Sequence, residues 1–277
     1  MRIPRYFGLH AEPSKMLRII AALIPFIIVV ALYWVASDAR LAENAADKLL
    51  PSFSQMFDAI ERAAFVPDRR TGDLILWTDT VASLSRLGAG LLISAMVGLF
   101  VGMNTGLFPG MKTTILPFVT FVSIIPPLAV LPILFISFGV GFEAKVMLIF
   151  LGTTFMITRD VYLATSKIPH EQITKALTLG ATQLGVVYRV VLPQIFPRLI
   201  ESVRLSLGAG WLFLIASEAI ASTDGLGYRI FLVRRYLAMD TIIPYVLWIT
   251  LLGFTLDLIL RKFVEWRYPW YEKQSGK

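Results

Sequence analysis

Cysteine is absent from this sequence of 277 residues, and histidine occurs only twice, at His10 and His170. Without a thiol, the chain can form no disulfide bond, thiolate metal site or cysteine nucleophile. The two histidines are far apart in sequence, which argues against a histidine-rich metal site and a Ser-His-Asp triad. No glycine cluster is followed by the Lys-Ser/Thr pair of a phosphate-binding loop. These absences point away from an enzyme, and from a metal or nucleotide bound directly by this chain.

Charged residues are also scarce. They make up 16% of the chain, against roughly 25% in ordinary soluble domains, and 56% of the residues are hydrophobic. Residues 87–111 and 113–142 carry no charge at all. Apolar runs of this length predict membrane-spanning helices, because about 20 helical residues cross the hydrocarbon layer. In a membrane protein, the net charge of +7 indicates topology-fixing Lys and Arg residues and contact with anionic lipid, not nucleic-acid binding.

The apolar runs predict an all-α integral membrane protein with a single transmembrane domain, residues 1–277. A helix satisfies its own backbone polar groups in lipid, so every span is expected to be helical. The second span carries Gly88, Gly90, Gly98 and Gly102, which predict close packing against another helix. The six predicted spans are residues 18–37, 84–105, 114–138, 143–165, 199–222 and 241–262.

The first span has to be distinguished from a signal peptide, because a basic lead with Arg2, Arg5, Lys15 and Arg18 precedes it. The apolar run is longer than a typical signal core, and no clear small-x-small cleavage site follows it. It is therefore predicted to be an uncleaved span.

The distribution of Lys and Arg predicts that both termini are cytoplasmic. The larger share of the 26 basic residues, Arg159 among them, then lies on the cytoplasmic side. Arg229, Arg234 and Arg235 go against this rule: they attract an anionic solute, contact a binding protein or form a solvated face. The external residues 38–79 are predicted to hold an amphipathic helix at the membrane surface, because apolar residues recur at helical spacing at Phe53, Met56, Phe57, Ile60 and Ala64.

The third span contains Pro126, Pro127 and Pro132, each of which removes a backbone donor and bends or breaks a helix. Irregular backbone at membrane depth is tolerated where it faces protein or a water-filled cavity. Two interpretations stay open: a kinked structural helix, or a helix that lines a translocation pathway.

Residues 166–199, between the fourth and fifth spans, form a long amphipathic segment on the same side as the termini. Pro169 and Glu171 suit the first turn of a helix. Gly180 is expected to introduce a bend and Pro193 to end the pattern, which predicts two short helices with one apolar side facing a partner. The apolar side recurs at helical spacing through Ile173, Ala176, Leu177, Gly180, Ala181 and Leu184.

This segment resembles the EAA loop of ATP-binding-cassette importer permeases, whose pattern is E-A-A-x3-G-x9-I-x-L-P. The spacing matches at every step, although Thr174 replaces Glu, Lys175 replaces the first Ala and Val190 replaces Ile. The matching positions are Thr174, Lys175, Ala176, Gly180, Val190, Leu192 and Pro193. The stretches LPSFSQM, TVASLSRLGAG, SIIPPLAVLPILFISFG, ASEAIASTDGLGYRI and WRYPW are similar to the branch that imports nitrate, sulfonates, taurine and bicarbonate.

The resemblance implies a permease in the bacterial inner membrane that works as a dimer of permeases, most simply a homodimer. It also implies two cytoplasmic ATPase subunits, which hold ATP and Mg, and an extracytoplasmic solute-binding protein. The loop would dock into the ATPase and couple closure on ATP to the spans. The coupling residues so implied are Glu171, Thr174, Lys175, Ala176, Leu177, Gly180, Ala181, Leu184, Leu192 and Pro193.

Two acidic residues in the spans have alternative explanations. Glu218 either contacts solute or gates the outer mouth, as a possible pathway residue with Pro126 and Pro127, or it pairs with Arg86 or caps the following turn. Asp257 is predicted to pair with Arg261, four residues later on the same helix.

Two other functions fit the sequence less well than an importer permease does. An ion-gradient-driven transporter or channel would show inverted repeats with broken helices in both halves, and the proline-broken third span has no matching partner in the other half. A membrane-embedded enzyme would need a cluster of titratable residues at one depth. The resemblance implies a nitrate-, sulfonate- or taurine-like anion as the solute, or alternatively a urea- or guanidine-like molecule, which Glu218 would suit.

Overall fold

The computed structural model describes residues 14–44, 47–69 and 71–274, the last three by their backbone alone; Arg2, Arg5, His10 and Arg70 lie outside them. Every regular element in the described ranges is helical. The helices are α1 Lys15–Glu43, α2 Phe53–Phe65, α3 Ile75–Leu107, α4 Pro109–Ser123, α5 Pro127–Phe138, α6 Phe142–Ser166, α7 His170–Thr178, α8 Gln183–Val186, α9 Leu192–Ile220, α10 Leu226–Arg234, α11 Met239–Arg267 and α12 Pro269–Gln274.

Five continuous helical stretches are long and apolar enough to cross a membrane: α1, α3, α6, the stretch Gln183–Ile220 and α11. The pair α4 and α5, which is bent by 93° at its break, passes the same test when the two helices are taken together, and counting it as one span gives six. The prediction of a six-span all-α membrane protein is confirmed in this form. The third span differs from a kinked helix, since the chain makes nearly a right angle between Ser123 and Pro127.

The core of the bundle is the contact between α3 and α6. Glycines at Gly90, Gly98, Gly102 and Gly106 face Ile149, Ile157, Val161 and Thr165, so both helices repeat the contact every four or eight residues. A Cβ atom on Gly102 would lie 2.6 Å from the carbonyl oxygen of Thr158. This close approach confirms the predicted glycine packing except at Gly88, which faces open space.

Helix α1 lies apart from this core, and none of its apolar window is buried within the chain. It is attached mainly near its C-terminal half, where the Tyr33 hydroxyl donates to the Pro51 carbonyl at 2.7 Å and the Ser37 hydroxyl to the Leu50 carbonyl at 3.0 Å. The predicted amphipathic helix is present as α2, whose first turn is closed by a capping box of Ser52 and Gln55.

The bundle has two polar ends. We call the end that carries α7 and α8 the loop end, and the opposite end, where α3 begins and α9 finishes, the far end.

Candidate functional site

Helix α7 at the loop end finishes in a turn that depends on glycine. Gly180 has φ +87°, its N–H donates to the Leu177 carbonyl at 2.9 Å, and the Ala181 N–H donates to the Ala176 carbonyl at 3.0 Å. These two bonds form a Schellman motif, in which glycine supplies the left-handed residue. The predicted bend between two short helices is therefore present at Gly180.

The second half of the segment departs from the prediction. Thr182 caps α8 by accepting the Gly185 N–H at 3.1 Å, and a π-helical turn, Val187–Val191, joins α8 directly to α9. Pro193 lies in the first turn of α9 and does not end the helix. A proline removes one backbone donor, and the wider π-helical turn before it accommodates that loss, so the fifth span begins well before residue 199.

The apolar residues of the loop helices point in two directions. Ile173, Ala176 and Ala181 pack on a cluster at the ends of α6 and α9 that includes Ile168 and Val191. The remaining leucines face away from the chain: Leu177 is 43% exposed, Leu184 70% and Leu179 88%. Exposed leucines beside Glu171, Thr174 and Lys175 give α7 an outer surface that combines apolar and charged groups.

A buried polar network ties α3 to α9 at the far end. Glu218 is completely buried, and its carboxylate accepts from Arg86 Nη1 at 2.7 Å, from the Ser83 hydroxyl at 2.9 Å and from the Gly227 N–H at 2.9 Å. Arg86 also contacts the carboxylate of Asp224. The predicted pairing with Arg86 is thus present, whereas a contact between Glu218 and solute stays a prediction.

The same network holds the turn between α9 and α10. Asp79 accepts the Gly225 N–H at 2.9 Å and Arg229 Nε at 2.8 Å. Gly225 has φ +110°, and a Cβ atom there would collide with the Glu218 carboxylate. Arg229 is therefore bound within the protein, while Arg234 and Arg235 are exposed.

The predicted pair of Asp257 and Arg261 is wrong. Asp257 Oδ1 lies 3.1 Å from Arg204 Nε on α9, and Arg261 instead lies 3.7 Å from Glu265. A local i, i+4 pair is outcompeted here because α9 and α11 pack side by side and bring a cation from a neighbouring helix.

The C-terminal helix α12 is fastened at the loop end. The Tyr271 hydroxyl donates to Glu201 at 2.7 Å, and Arg198 connects Glu201 to Asp160 with contacts of 3.4 and 2.5 Å. Burial and the hydrogen bond to Glu201 raise the pKa of Tyr271 to about 12, so this hydroxyl keeps its proton at neutral pH.

The broken span borders a cavity of about 320 Å³ between α4, α5, α6 and α9. Pro127 and Phe213 line it, and so does Arg159, which the sequence analysis treated only as a topology-fixing charge. The sequence signal for Arg159 is a basic residue within a predicted span, where a charged side chain is costly. Pro126 caps the start of α5 at the break and is exposed.

Comparison with known proteins gives a consistent result. Residues 90–270 match the family described as binding-protein-dependent transport system inner membrane component. The taurine transport system permease protein TauC of Escherichia coli K12 is 32% identical over 72% of this chain and 72% of its own length. The bicarbonate transport system permease protein CmpB of Synechococcus elongatus is 30% identical, over 73% of this chain and 72% of its own.

The fold is also similar to that of a solved transporter. A chain of the methionine ABC transporter MetNI, in an inward-facing conformation, matches with a TM-score of 0.56 at 23% identity. The match covers 68% of this chain and 95% of the MetNI chain. At this level of identity the likeness concerns the fold alone.

Proposed function

Because this chain belongs to the family of binding-protein-dependent transport system inner membrane components, we propose that it is the permease subunit of an ATP-driven importer of a small anionic solute. Two ATPase subunits, with ATP and Mg bound to them, a second permease copy and an extracytoplasmic solute-binding protein complete the assembly. The loop end and both termini face the cytoplasm, and the far end faces the binding protein.

The exposed leucines of the loop helices are the observation that carries this proposal. Exposing a leucine as fully as Leu179 costs free energy unless another surface covers it, at about 25 cal/mol per Å² of apolar area. Leu177, Leu179 and Leu184 surround the bend at Gly180, which is the glycine position of the EAA-like pattern. We assign α7 and the turn after it as the coupling surface that docks on the ATPase.

Exposed apolar surface within the spans supports a second permease copy. On α4 and α5, Phe121 is 70% exposed and Ile136 87%, although both helices border the cavity of the broken span. The unburied length of α1 is a further surface of this kind. We propose that two copies bring their broken spans together to form the pathway.

An anion fits the proposed solute better than a guanidine-like cation. The relatives with named solutes transport taurine, aliphatic sulfonates or bicarbonate, all of which carry an anionic group. Glu218, the carboxylate that would suit a cation, is already neutralised by Arg86 at 2.7 Å. An ion-gradient mechanism has less support, because the described part of the chain contains one bent helix pair and not the two expected of inverted repeats.

Replacing Leu179 with aspartate tests the coupling surface. We expect solute uptake, and ATP hydrolysis stimulated by the binding protein, to fall roughly tenfold or more, because the new carboxylate would be buried without a partner against the ATPase. The assay uses proteoliposomes that contain the permease, its ATPase and its binding protein.

The matched control is Leu179→Met, which conserves volume and apolar character and is expected to retain uptake. Co-purification of the ATPase is measured for both variants. Uptake by Leu179→Asp at the rate of the unmodified protein, or uptake that proceeds without ATP, would contradict the proposal.

A further inference from the structure

Arg159 differs from three other cations of the spans in that its charge has no partner. Arg86 pairs with Glu218, Arg198 with Asp160, and Lys145 donates to backbone carbonyls. Arg159 is exposed and has no carboxylate or hydrogen-bond partner among the residues that the structure describes. Even the adjacent Asp160 is directed toward another helix.

An unpaired arginine in a span is costly, so such residues usually mark a substrate or ion pathway. Arg159 lies in α6, about two helical turns from its loop end and next to Asp160. The free energy cost of placing the Arg159 guanidinium in a span is lowest where the group faces water or an anion. The cavity of about 320 Å³ beside the broken span provides such a place.

The polar groups that line this cavity are suited to an anion. Arg159 is the only charged residue among those that line it in the described chain, and the hydroxyls of Thr120 and Ser123 lie on the same side of α4, three residues apart. Each hydroxyl now donates to a backbone carbonyl at 2.8 Å. A rotation about the C–O bond turns either hydrogen toward a ligand.

We infer that Arg159, with the hydroxyls of Thr120 and Ser123, binds the oxyanion group of the transported solute, a sulfonate, carboxylate or bicarbonate, beside the proline break. The inference rests on the proposed function. A guanidinium presents two parallel N–H donors that match the oxygens of such a group. The cavity volume also falls within the usual range of small-molecule sites, about 300–1,000 Å³.

A second cation, Lys112, lies between the cavity and the loop end. Lys112 Nζ lies 5.9 Å from the ring centroid of Tyr162, three residues after Arg159 on α6. Successive weak sites of one sign let an ion enter and leave without being trapped. The arrangement therefore favours passage of an anion over its retention.

Replacing Arg159 with glutamine tests the site in the same proteoliposomes, with taurine, ethanesulfonate and bicarbonate as probes. We expect uptake of the transported probe to fall roughly 10- to 100-fold, the loss typical of a charge-assisted hydrogen bond. ATP hydrolysis stimulated by the binding protein is expected to stay within about twofold of the unmodified rate, because the coupling surface is intact.

Two hydroxyl variants give a graded comparison. Thr120→Val is expected to reduce uptake about fivefold, the effect of one neutral hydrogen bond. Thr114→Val is the control, since its hydroxyl donates to the Gly110 carbonyl on the same helix and does not line the cavity. Solute uptake by the Thr114→Val variant should equal that of the unmodified protein.

An anionic lipid headgroup shares this chemistry, so the assay is run in vesicles with and without phosphatidylglycerol. Loss of uptake in Arg159→Gln in both kinds of vesicle supports a solute site. Three other results would overturn the solute site: a loss of uptake confined to anionic vesicles, unchanged uptake, or a joint loss of uptake and ATP hydrolysis. The proposed function fails separately, if Leu179→Asp behaves as the unmodified protein.

Discussion

Replacing Glu218 with alanine is expected to lower the free energy of unfolding by about 3–5 kcal/mol, the cost of leaving a buried charge without its partner. Arg86 would keep only its contacts with Asp224, and the Ser83 hydroxyl and the Gly227 N–H would lose the carboxylate that accepts their hydrogen bonds. Since this network joins α3 to the turn after α9, we expect these two elements to separate at the far end first when the variant unfolds. Reversible unfolding in mixed micelles measures the loss.

Two companion variants isolate the charge pair. Glu218→Gln keeps a hydrogen-bond acceptor and should lose less stability, while the double variant Arg86→Met/Glu218→Leu removes both charges and should recover much of the loss. If Glu218→Ala is as stable as the unmodified protein, the structural role is wrong. If the double variant is stable but transports nothing, the charge pair has a role in transport in addition to its role in stability.

Replacing Gly102 with alanine should destabilise the bundle by up to about 3 kcal/mol, the upper part of the range for overpacking. The added methyl would lie 2.6 Å from the Thr158 carbonyl oxygen and 2.9 Å from Val161 Cβ. A backbone oxygen cannot rotate away as a side chain can, so α3 and α6 must separate. The thermal unfolding midpoint in detergent reports this change.

Gly88→Ala is the matched control on the same helix, because nothing lies within 4 Å of the added atom. Alanine is a better helix former than glycine by about 1 kcal/mol, so this variant should be neutral or slightly stabilised. Opposite signs for the two substitutions would attribute the effect to the interhelical contact. Equal shifts in both variants would contradict that explanation.

The spans and the loop bend were predictable because their signals are local. Apolar runs without charge identify the crossings, and a glycine after an amphipathic turn identifies the cap at Gly180. The proline run correctly indicated an irregular third span, although proline alone does not fix an angle of 93°. Local chemistry determines that a bend occurs, while packing determines its size.

The remaining features depend on how the helices are rotated against one another. Asp257 pairs with Arg204 because α9 lies beside α11, which no spacing within one helix reveals. The role of Pro193 was misjudged because a π-helical turn absorbs its missing donor. Arg159 is visible in the sequence as a basic residue beside Asp160 within a span, but only the structure shows that Asp160 pairs with Arg198 instead.

The glycine contact between α3 and α6 has a mechanical consequence. Because α3 and α6 approach so closely along their length, we expect them to move as one rigid body. This pair extends from the residues before α7 to the charge network of Glu218. In the proposed function, movement of α7 by the ATPase would therefore be transmitted along α3 and α6 to the far end. The regular α-helical pattern is interrupted at two places outside this pair, the right-angle break before Pro127 and the π-helical turn before α9, and we expect bending to occur there.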